Sequence, residues 1–283
     1  MNDQRSFENG KASLYLVATP IGNMDEFTPR AVDVLKSVDV IACEDTRTSG
    51  VLLKRFDISK RLISYQKFNE EPSTKGILAL LEEGKNVALI SDAGYPLIND
   101  PGQTLVPAII DAGFNVIPVS GPNAGVDALV ASGLVVQPFV FIGFLPPSEH
   151  ARVEKMKEYA SLPMTMVYYE APHRIEKMLR DALVVFGDRK CCVARELTKV
   201  HEEFLRGTIS EVLEVIPDRK GEMVVVIAGA EQVQPELDEG VLIAMVNEET
   251  AKGLSKNAAV KAVASRTGVA RNLLYDLVHE KRN

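Results

Sequence analysis

Between residues 13 and 229 short, nearly continuous apolar runs alternate with stretches whose apolar positions recur at helical spacing. The runs at residues 13–19, 38–43, 62–65, 86–91, 115–119 and 139–144 read as strands. Most lack polar alternation, as expected of strands buried on both faces of a parallel sheet. Helix signals fall between them: Thr28 as a cap before Pro29, Ser73 as a cap for a helix over 77–81, and Gly113 and Gly133 as C-terminal stops. Alternation of this kind predicts an α/β sheet with crossover helices. The stretch Leu145-Pro146-Pro147-Ser148-Glu149-His150 reads as a hinge, because two prolines continue neither kind of ladder. A second α/β set follows, with strands at 164–169, 191–194, 203–206 and 222–228 and helices over 174–186 and 210–216. Beyond Pro235 the pattern is purely helical. The expected organisation is a polar extension over 1–12, an N-terminal α/β domain over 13–145, a C-terminal α/β domain over 146–234 and a basic helical domain over 235–283.

Composition narrows the class. The chain has 283 residues, 46% hydrophobic and 25% charged, which is ordinary for a globular protein and excludes disorder, a collagen repeat or a disulfide-stapled miniprotein. Of three cysteines, Cys191 and Cys192 are adjacent in an apolar run and poorly placed to bond each other, which points to a reducing compartment. No apolar stretch approaches the ~18 residues that would span a bilayer, and residues 1–11 lack a signal-peptide core. The expectation is a cytosolic protein with no membrane partner. The net charge is −7, unevenly spread: from Lys252 to Arg282 seven basic residues stand against Asp276 and Glu280, a local +5 that leaves −12 on the rest. An acidic body with a basic tail fits a local electrostatic contact, and a solvated helix face fits the charge equally well.

Candidate chemistry lies where Gly, Pro and Asp interrupt the pattern. Thr19-Pro20-Ile21-Gly22-Asn23 follows the first strand, Glu44-Asp45-Thr46-Arg47 the second, residues 91–102 the fourth and Ser120-Gly121-Pro122-Asn123-Ala124 the fifth. Ligands bind beyond the carboxyl ends of strands in open α/β sheets. Any one such loop could be a mere turn; four on one edge predict a shared pocket. A G-x-G-x-x-G after the first strand, a Walker-type phosphate loop and a G-x-S-x-G elbow are all missing. His150, His173, His201 and His279 are too scattered for a metal site, so none is expected. What remains is a Gly/Pro-lined cleft with carboxylates and amides, suited to a neutral or zwitterionic cofactor held largely by backbone groups.

Those loops, with Gly143-Phe144-Leu145-Pro146, Tyr169-Glu170-Ala171-Pro172-His173-Arg174, Ala194-Arg195-Glu196-Leu197-Thr198-Lys199 and Lys220-Gly221-Glu222, resemble the signature set of the bacterial small-subunit ribosomal RNA methyltransferase I family, of the tetrapyrrole-methylase superfamily. The resemblance runs from about Leu14 to the C-terminus, and the 91–102 string with residues 44–47 is its most specific part. It implies two α/β domains of the tetrapyrrole-methylase type with S-adenosylmethionine in the cleft between them. It also implies a homodimer that methylates the ribose 2′-hydroxyl of one cytidine in the decoding region of 16S rRNA in the small ribosomal subunit. Carried over by position, cofactor contacts fall on Pro20, Ile21 and Gly22; on Asp92, Ala93, Gly94, Tyr95 and Ile98; on Asn123 and Ala124; and on Tyr169, Ala194 and Glu222. Three positions depart from the family pattern: Tyr95 replaces a smaller hydroxyl residue, Ser120 replaces proline, and Tyr65-Gln66-Lys67-Phe68-Asn69 lacks histidines, which leaves no histidine base in that loop.

The implied reaction is direct in-line displacement, in which alignment of the two substrates supplies most of the acceleration, ~7–11 kcal/mol. Candidate bases or orienters are Asp45, Asp92, Asp100 and Glu170, each of which could instead cap a loop or pair with an arginine. The preferred set is Glu44, Asp45 and Arg47, with Asp45 polarising the hydroxyl and Arg47 steadying an RNA phosphate; His173 reads as a cap after Pro172. In the tail, Val263, Ala264, Val269, Leu274 and Leu277 sit at core spacings of a helix-turn-helix, with Thr267-Gly268-Val269 as the turn and residues 270–281 as the second helix. Lys261, Arg266 and Arg271 would then track RNA phosphates, and a small dimerisation lobe is the alternative. Two rival functions stay open: another superfamily enzyme acting on a tetrapyrrole or a protein, and a non-catalytic ribosome-binding module.

Overall fold

Thr28 opens the first helix as the sequence predicts: its Oγ1 accepts the Ala31 N–H at 3.2 Å, and Pro29 fills the first turn, where a missing N–H costs nothing. The computed structural model describes residues 3–231 and 238–279, which divide into two units, Met1–Ala230 and Glu231–Asn283. The first unit runs β1 (Ser13–Val17), α1 (Pro29–Ser37), β2 (Val40–Cys43), α2 (Thr46–Arg55), β3 (Arg61–Ser64), α3 (Glu70–Glu82), β4 (Val87–Ile90), α4 (Leu105–Asp111), β5 (Asn115–Val119) and α5 (Ala124–Ala131). It continues through β6 (Phe139–Phe144), α6 (Glu149–Lys157), β7 (Thr165–Glu170), α7 (Ile175–Phe186), β8 (Lys190–Arg195), β9 (Glu203–Thr208), α8 (Ile209–Val215) and β10 (Met223–Ile227). Both halves are α/β, as expected.

The first sheet is wholly parallel, ordered β3-β2-β4-β1-β5. β2 and β4 are buried along their whole length, which is why they read as unbroken apolar runs. One face packs on α1 and α2 through Ala31, Leu35, Ile41 and Leu53; the other packs on α3 and α4 through Ile77, Leu81, Val87 and Ile109. Parallel order places the carboxyl ends of β2, β4, β1 and β5 side by side on one edge. The polar N-terminal segment covers an outer strand: Gln4 both donates to the Val116 carbonyl and accepts its N–H, occupying groups that an exposed edge would offer to another chain.

The second sheet is mixed, ordered β6-β7-β10-β8-β9, with β6 parallel to β7 and the remaining pairs antiparallel. Its two faces alternate along each strand. Met166, Tyr168, Val193 and Val225 face α6, α7 and α8, while Val167, Cys192, Ala194 and Val226 face Ala128 and Leu129 of α5. The helix that follows the last strand of the first sheet therefore rests on the second sheet and fixes one half against the other.

Three readings of the sequence are corrected. Residues 139–144, expected in the first sheet, form the outer strand of the second, paired with β7. Consequently the Leu145–His150 stretch does not join the sheets; it joins β6 to α6 within the second half, and Arg174 holds it through the carbonyls of Leu145 and Pro146. Ser73 is not a cap: α3 begins three residues earlier, and the Ser73 hydroxyl donates to the Ser64 carbonyl. Gly113 and Gly133 do follow α4 and α5, at φ of 78° and 80°.

The second unit holds α9 (Glu239–Ala251), α10 (Lys256–Thr267) and α11 (Arg271–His279), packed through Leu242, Val246, Val260, Val263 and Leu274. The expected turn is present: Gly268 closes α10 in the left-handed region at φ 74° and donates to the Ala264 carbonyl. The description of this unit as basic needs revision. Glu231–Asn283 contains eight acidic residues to seven basic ones, and acids of α9 engage part of the basic set. Lys252 pairs with Glu248 and Glu249, and Arg266 pairs with Glu249 at 3.2 Å. Pro235, Glu280, Lys281 and Arg282 lie outside the described residues.

Candidate functional site

The loops after β1 and β4 are tied by backbone and hydroxyl groups before any ligand is considered. Thr19 and Gly94 exchange hydrogen bonds of 2.9 and 3.1 Å, Thr19 Oγ1 donates to the Ser91 carbonyl, and Ser91 Oγ donates to the Gly94 carbonyl. Gly94 sits at φ 75°; nothing nearer than 3.5 Å meets a β-carbon built there, so backbone conformation and not crowding within the protein selects glycine. Further along the loop, Leu97 and Asn99 adopt φ of 72° and 66°, unusual for side-chain-bearing residues and costly unless the surroundings enforce them. The Asn99 side chain occupies the space where a β-carbon of Gly143 would lie. Gly143, at φ 74° beside an irregularity in the β6–β7 register, thus lets a loop of the first sheet press onto a strand of the second. A matching clasp joins the Asn23 N–H to Thr198 Oγ1 at 3.0 Å, with Glu196 and Thr198 again at positive φ.

These loops and the ends of β7 and β10 enclose a cavity of about 360 Å³. Of the residues expected at the cofactor, Ile21, Asp92, Ala93, Gly94, Tyr95, Ile98, Asn123, Ala124, Tyr169 and Glu222 line it. Three do not. Pro20 is buried behind the first loop. Gly22 lies against the side chains of Thr198 and Lys199. Ala194 is fully buried opposite Val224 in the register of β8 on β10, facing α5. Several lining residues already have structural work. Asn123 caps α5 by accepting the Val126 N–H, and the Tyr95 and Tyr169 hydroxyls accept the N–H groups of Gly121 and Gly125, both at 3.2 Å. The larger Tyr95 therefore braces the loop after β5 as well as forming a wall.

The cavity also takes in Asn99, Asp100, Phe144, Glu170, Leu197 and Val224. Asp100 and Glu170 are candidate acids in the sequence; the others carry no expected role, although Phe144 and Leu197 belong to quoted motifs. Burial pushes the Asp100 carboxyl up to about 6; the charges of Glu44 and Asp92 add to the rise and a hydrogen bond from Ser91 opposes it. Glu170 is 2% exposed. Its Oε1 accepts the Ala171 N–H at 2.9 Å and lies 3.1 Å from Arg174, while its Oε2 has no partner. Burial raises its pKa too. The wall is thus mostly apolar, with carboxylates reaching it from both sheets.

Glu44, Asp45 and Arg47 do not line the cavity. Asp45 is the N-cap of α2: its Oδ1 accepts the Arg47 N–H at 2.8 Å and meets the Arg47 guanidinium at 3.4 Å. The same backbone and side-chain hydrogen bonds from Arg47 hold its carboxyl below the usual range. The Arg47 side chain is 92% exposed. Glu44 is half-buried, and its carbonyl accepts from Gln66 Nε2. His173 is exposed and outside the cavity. In the second unit Lys261 and Arg271 are exposed, whereas Arg266 is engaged by Glu249. Among the described residues no group of three His, Cys, Asp or Glu side chains could hold a metal ion, and no helix is long and apolar enough to cross a membrane.

The family model of the tetrapyrrole (corrin/porphyrin) methylases matches residues 13–213. A ribosomal RNA small subunit methyltransferase I of Halalkalibacterium halodurans is 42% identical, the alignment covering 99% of this chain and 100% of that protein. The protein of the same description from Bacillus subtilis is 41% identical, with 99% of each covered. The chain belongs to the ribosomal RNA small subunit methyltransferase I family. Membership of this family agrees with the motifs at residues 19–23, 44–47 and 91–102. Among solved structures, uroporphyrin-III-C-methyltransferase from Thermus thermophilus superposes with a TM-score of 0.55 at 20% identity, over 77% of this chain and 94% of that one. A diphthine synthase gives 0.59 at 12% identity, over 77% and 90%. At such identities the likeness is one of fold, and the fold is that of the tetrapyrrole methylases.

Proposed function

We propose that the protein transfers a methyl group from S-adenosylmethionine to the ribose 2′-hydroxyl of a cytidine in the decoding region of 16S rRNA. Full-length similarity to proteins described as ribosomal RNA small subunit methyltransferase I carries this reading. The cavity supports the choice of methyl donor: Ile21, Ile98, Leu197 and Val224 offer apolar wall to a nucleoside. The carboxylates of Asp92, Asp100 and Glu170 favour a cation, and a sulfonium amino acid carries two positive centres. Ala93, Gly94, Asn123 and Ala124 would hold it chiefly through backbone groups. When bound, the donor supplies a methyl carbon on positively charged sulfur, already activated toward an oxygen nucleophile.

The chain's own contribution is then alignment and exclusion of water. The Asn99–Gly143 and Asn23–Thr198 contacts fix the two halves around the cavity, so that both substrates meet in one orientation. On the acceptor side, Arg47 projects its guanidinium into solvent, where it would meet an RNA phosphate while Asp45 orients it. Lys261 and Arg271 add phosphate contacts from the second unit. The reading includes a cytoplasmic homodimer; the exposed Val126 and Val130 of α5, with Val135 and Phe139 beyond it, are apolar side chains suited to burial by a second copy. The test uses purified protein, labelled S-adenosylmethionine and small ribosomal subunits lacking the modification, followed by nuclease digestion and mass spectrometry. The expected product is 2′-O-methylcytidine. A base-methylated nucleoside, or label on protein or on an added tetrapyrrole with none on rRNA, would overturn the reading.

A further inference from the structure

We propose that Asp100 is the catalytic residue that takes the proton from the acceptor hydroxyl, an assignment that rests on the methyltransferase reading above. Four carboxylates stand at the carboxyl edge of the first sheet, and their surroundings separate them. Glu44 and Asp45 lie outside the cavity lining. The Asp45 carboxylate caps α2 and pairs with Arg47; an anion so stabilised is a weak proton acceptor. Asp92 lines the cavity but is exposed, and it accepts the Asp45 N–H. Asp100 lines the cavity, is half-buried, and has no ion pair among the described residues. Facing it are Ser91 and Asp92 from its own loop, Glu44 from the end of β2 and Tyr169 from β7. No cation lies among these neighbours.

A separate observation marks this cavity as one that a ligand completes. Glu170 reaches it from the second sheet, almost wholly buried, with Oε2 lacking any protein donor. Buried carboxylate oxygens are normally satisfied, so a donor on the bound molecule is the natural partner. Asp100 then stands on the opposite sheet of the same site, carried by a loop whose Leu97 and Asn99 are held in left-handed conformations, with Asn99 against β6. In the transfer, a lone pair of the ribose oxygen forms the bond to the methyl carbon. The carbon–sulfur bond breaks, its electron pair remains on a neutral thioether, and the hydroxyl proton passes to the Asp100 carboxylate. A carboxyl raised to about 6 is ionised at pH 7–8 yet a better base than an ordinary aspartate.

The test is single-turnover methylation of small ribosomal subunits between pH 5 and 8 by the wild type, Asp100→Asn and Asp45→Asn, with S-adenosylmethionine affinity measured by calorimetry. For the wild type the rate should rise through an inflection near pH 6. In Asp100→Asn it should fall at least tenfold and lose the inflection, with donor affinity within threefold of wild type; Asp45→Asn should keep the inflection. The assignment is overturned by a rate within tenfold, by a retained inflection in Asp100→Asn, or by a loss of donor affinity as large as the loss of rate. A wild type that binds the donor but methylates no rRNA overturns the underlying reading, and that outcome is distinct from an active wild type indifferent to Asp100.

Discussion

Replacing Asp100 by asparagine should make the ligand-free protein more stable at neutral pH. The carboxyl is raised from 3.8 to about 6, first by burial and then by the charges of Glu44 and Asp92. Each unit of such a shift corresponds to about 1.4 kcal/mol, so the ionised group costs the native state up to about 3 kcal/mol. Water reaching the half-open site lowers this, and about 1–3 kcal/mol is expected. The sign follows from linkage. Below pH 3.8 the carboxyl is protonated in both folded and unfolded chains and the penalty is absent; it grows between 3.8 and 6 and is complete above 6. Asparagine keeps an acceptor for Ser91 and removes the charge. Urea denaturation of wild type and variant at pH 4 and pH 8 measures the difference. The midpoint should rise at pH 8, with most of the gain gone at pH 4. A variant less stable than wild type at pH 8, or equally stabilised at both pH values, would refute the argument that Asp100 is held as a strained anion.

Three other outcomes are expected. Gly94→Ala forces a β-carbon into φ 75° and should cost about 1–2 kcal/mol of stability and weaken donor binding, both measurable by denaturation and calorimetry; unchanged values would mean that this loop conformation is not needed. Reversing Lys261 and Arg271 to glutamate should reduce the log–log salt slope of RNA binding by about 0.7–0.9 for each phosphate no longer neutralised, and an unchanged slope removes both residues from the RNA interface. Arg152, with only 4% of its side chain exposed, pairs with Asp181 at 2.6 Å and donates to the Pro147 carbonyl. Arg152→Leu leaves both groups buried and unpaired and should cost about 3–5 kcal/mol, whereas a loss below about 1 kcal/mol would show that the segment after β6 is held by other interactions.

The parallel sheet was legible because β2 and β4 are buried on both faces, so their apolar runs admit one reading. Residues 139–144 were not assignable, since a strand's pattern does not reveal which sheet it joins; that depends on Gly143 receiving Asn99 and on pairing with β7. Much of the cavity lining was visible as interrupted loops at strand ends. Ala194 was misplaced because its orientation is fixed by the register of β8 on β10, which turns it toward α5. The unsatisfied oxygen of Glu170 has no sequence signal at all. The charge of the tail misled for a related reason: a count beginning at Lys252 leaves out Glu248 and Glu249, which the packing of α9 brings to Lys252 and Arg266.

The central claim is tested most directly by mapping 2′-O-methyl groups on 16S rRNA, by mass spectrometry, in cells lacking this gene and in the same cells carrying it again. The account predicts that one 2′-O-methylcytidine in the decoding region disappears with the gene and returns with the wild-type protein. An identical methylation map with and without the gene would contradict it.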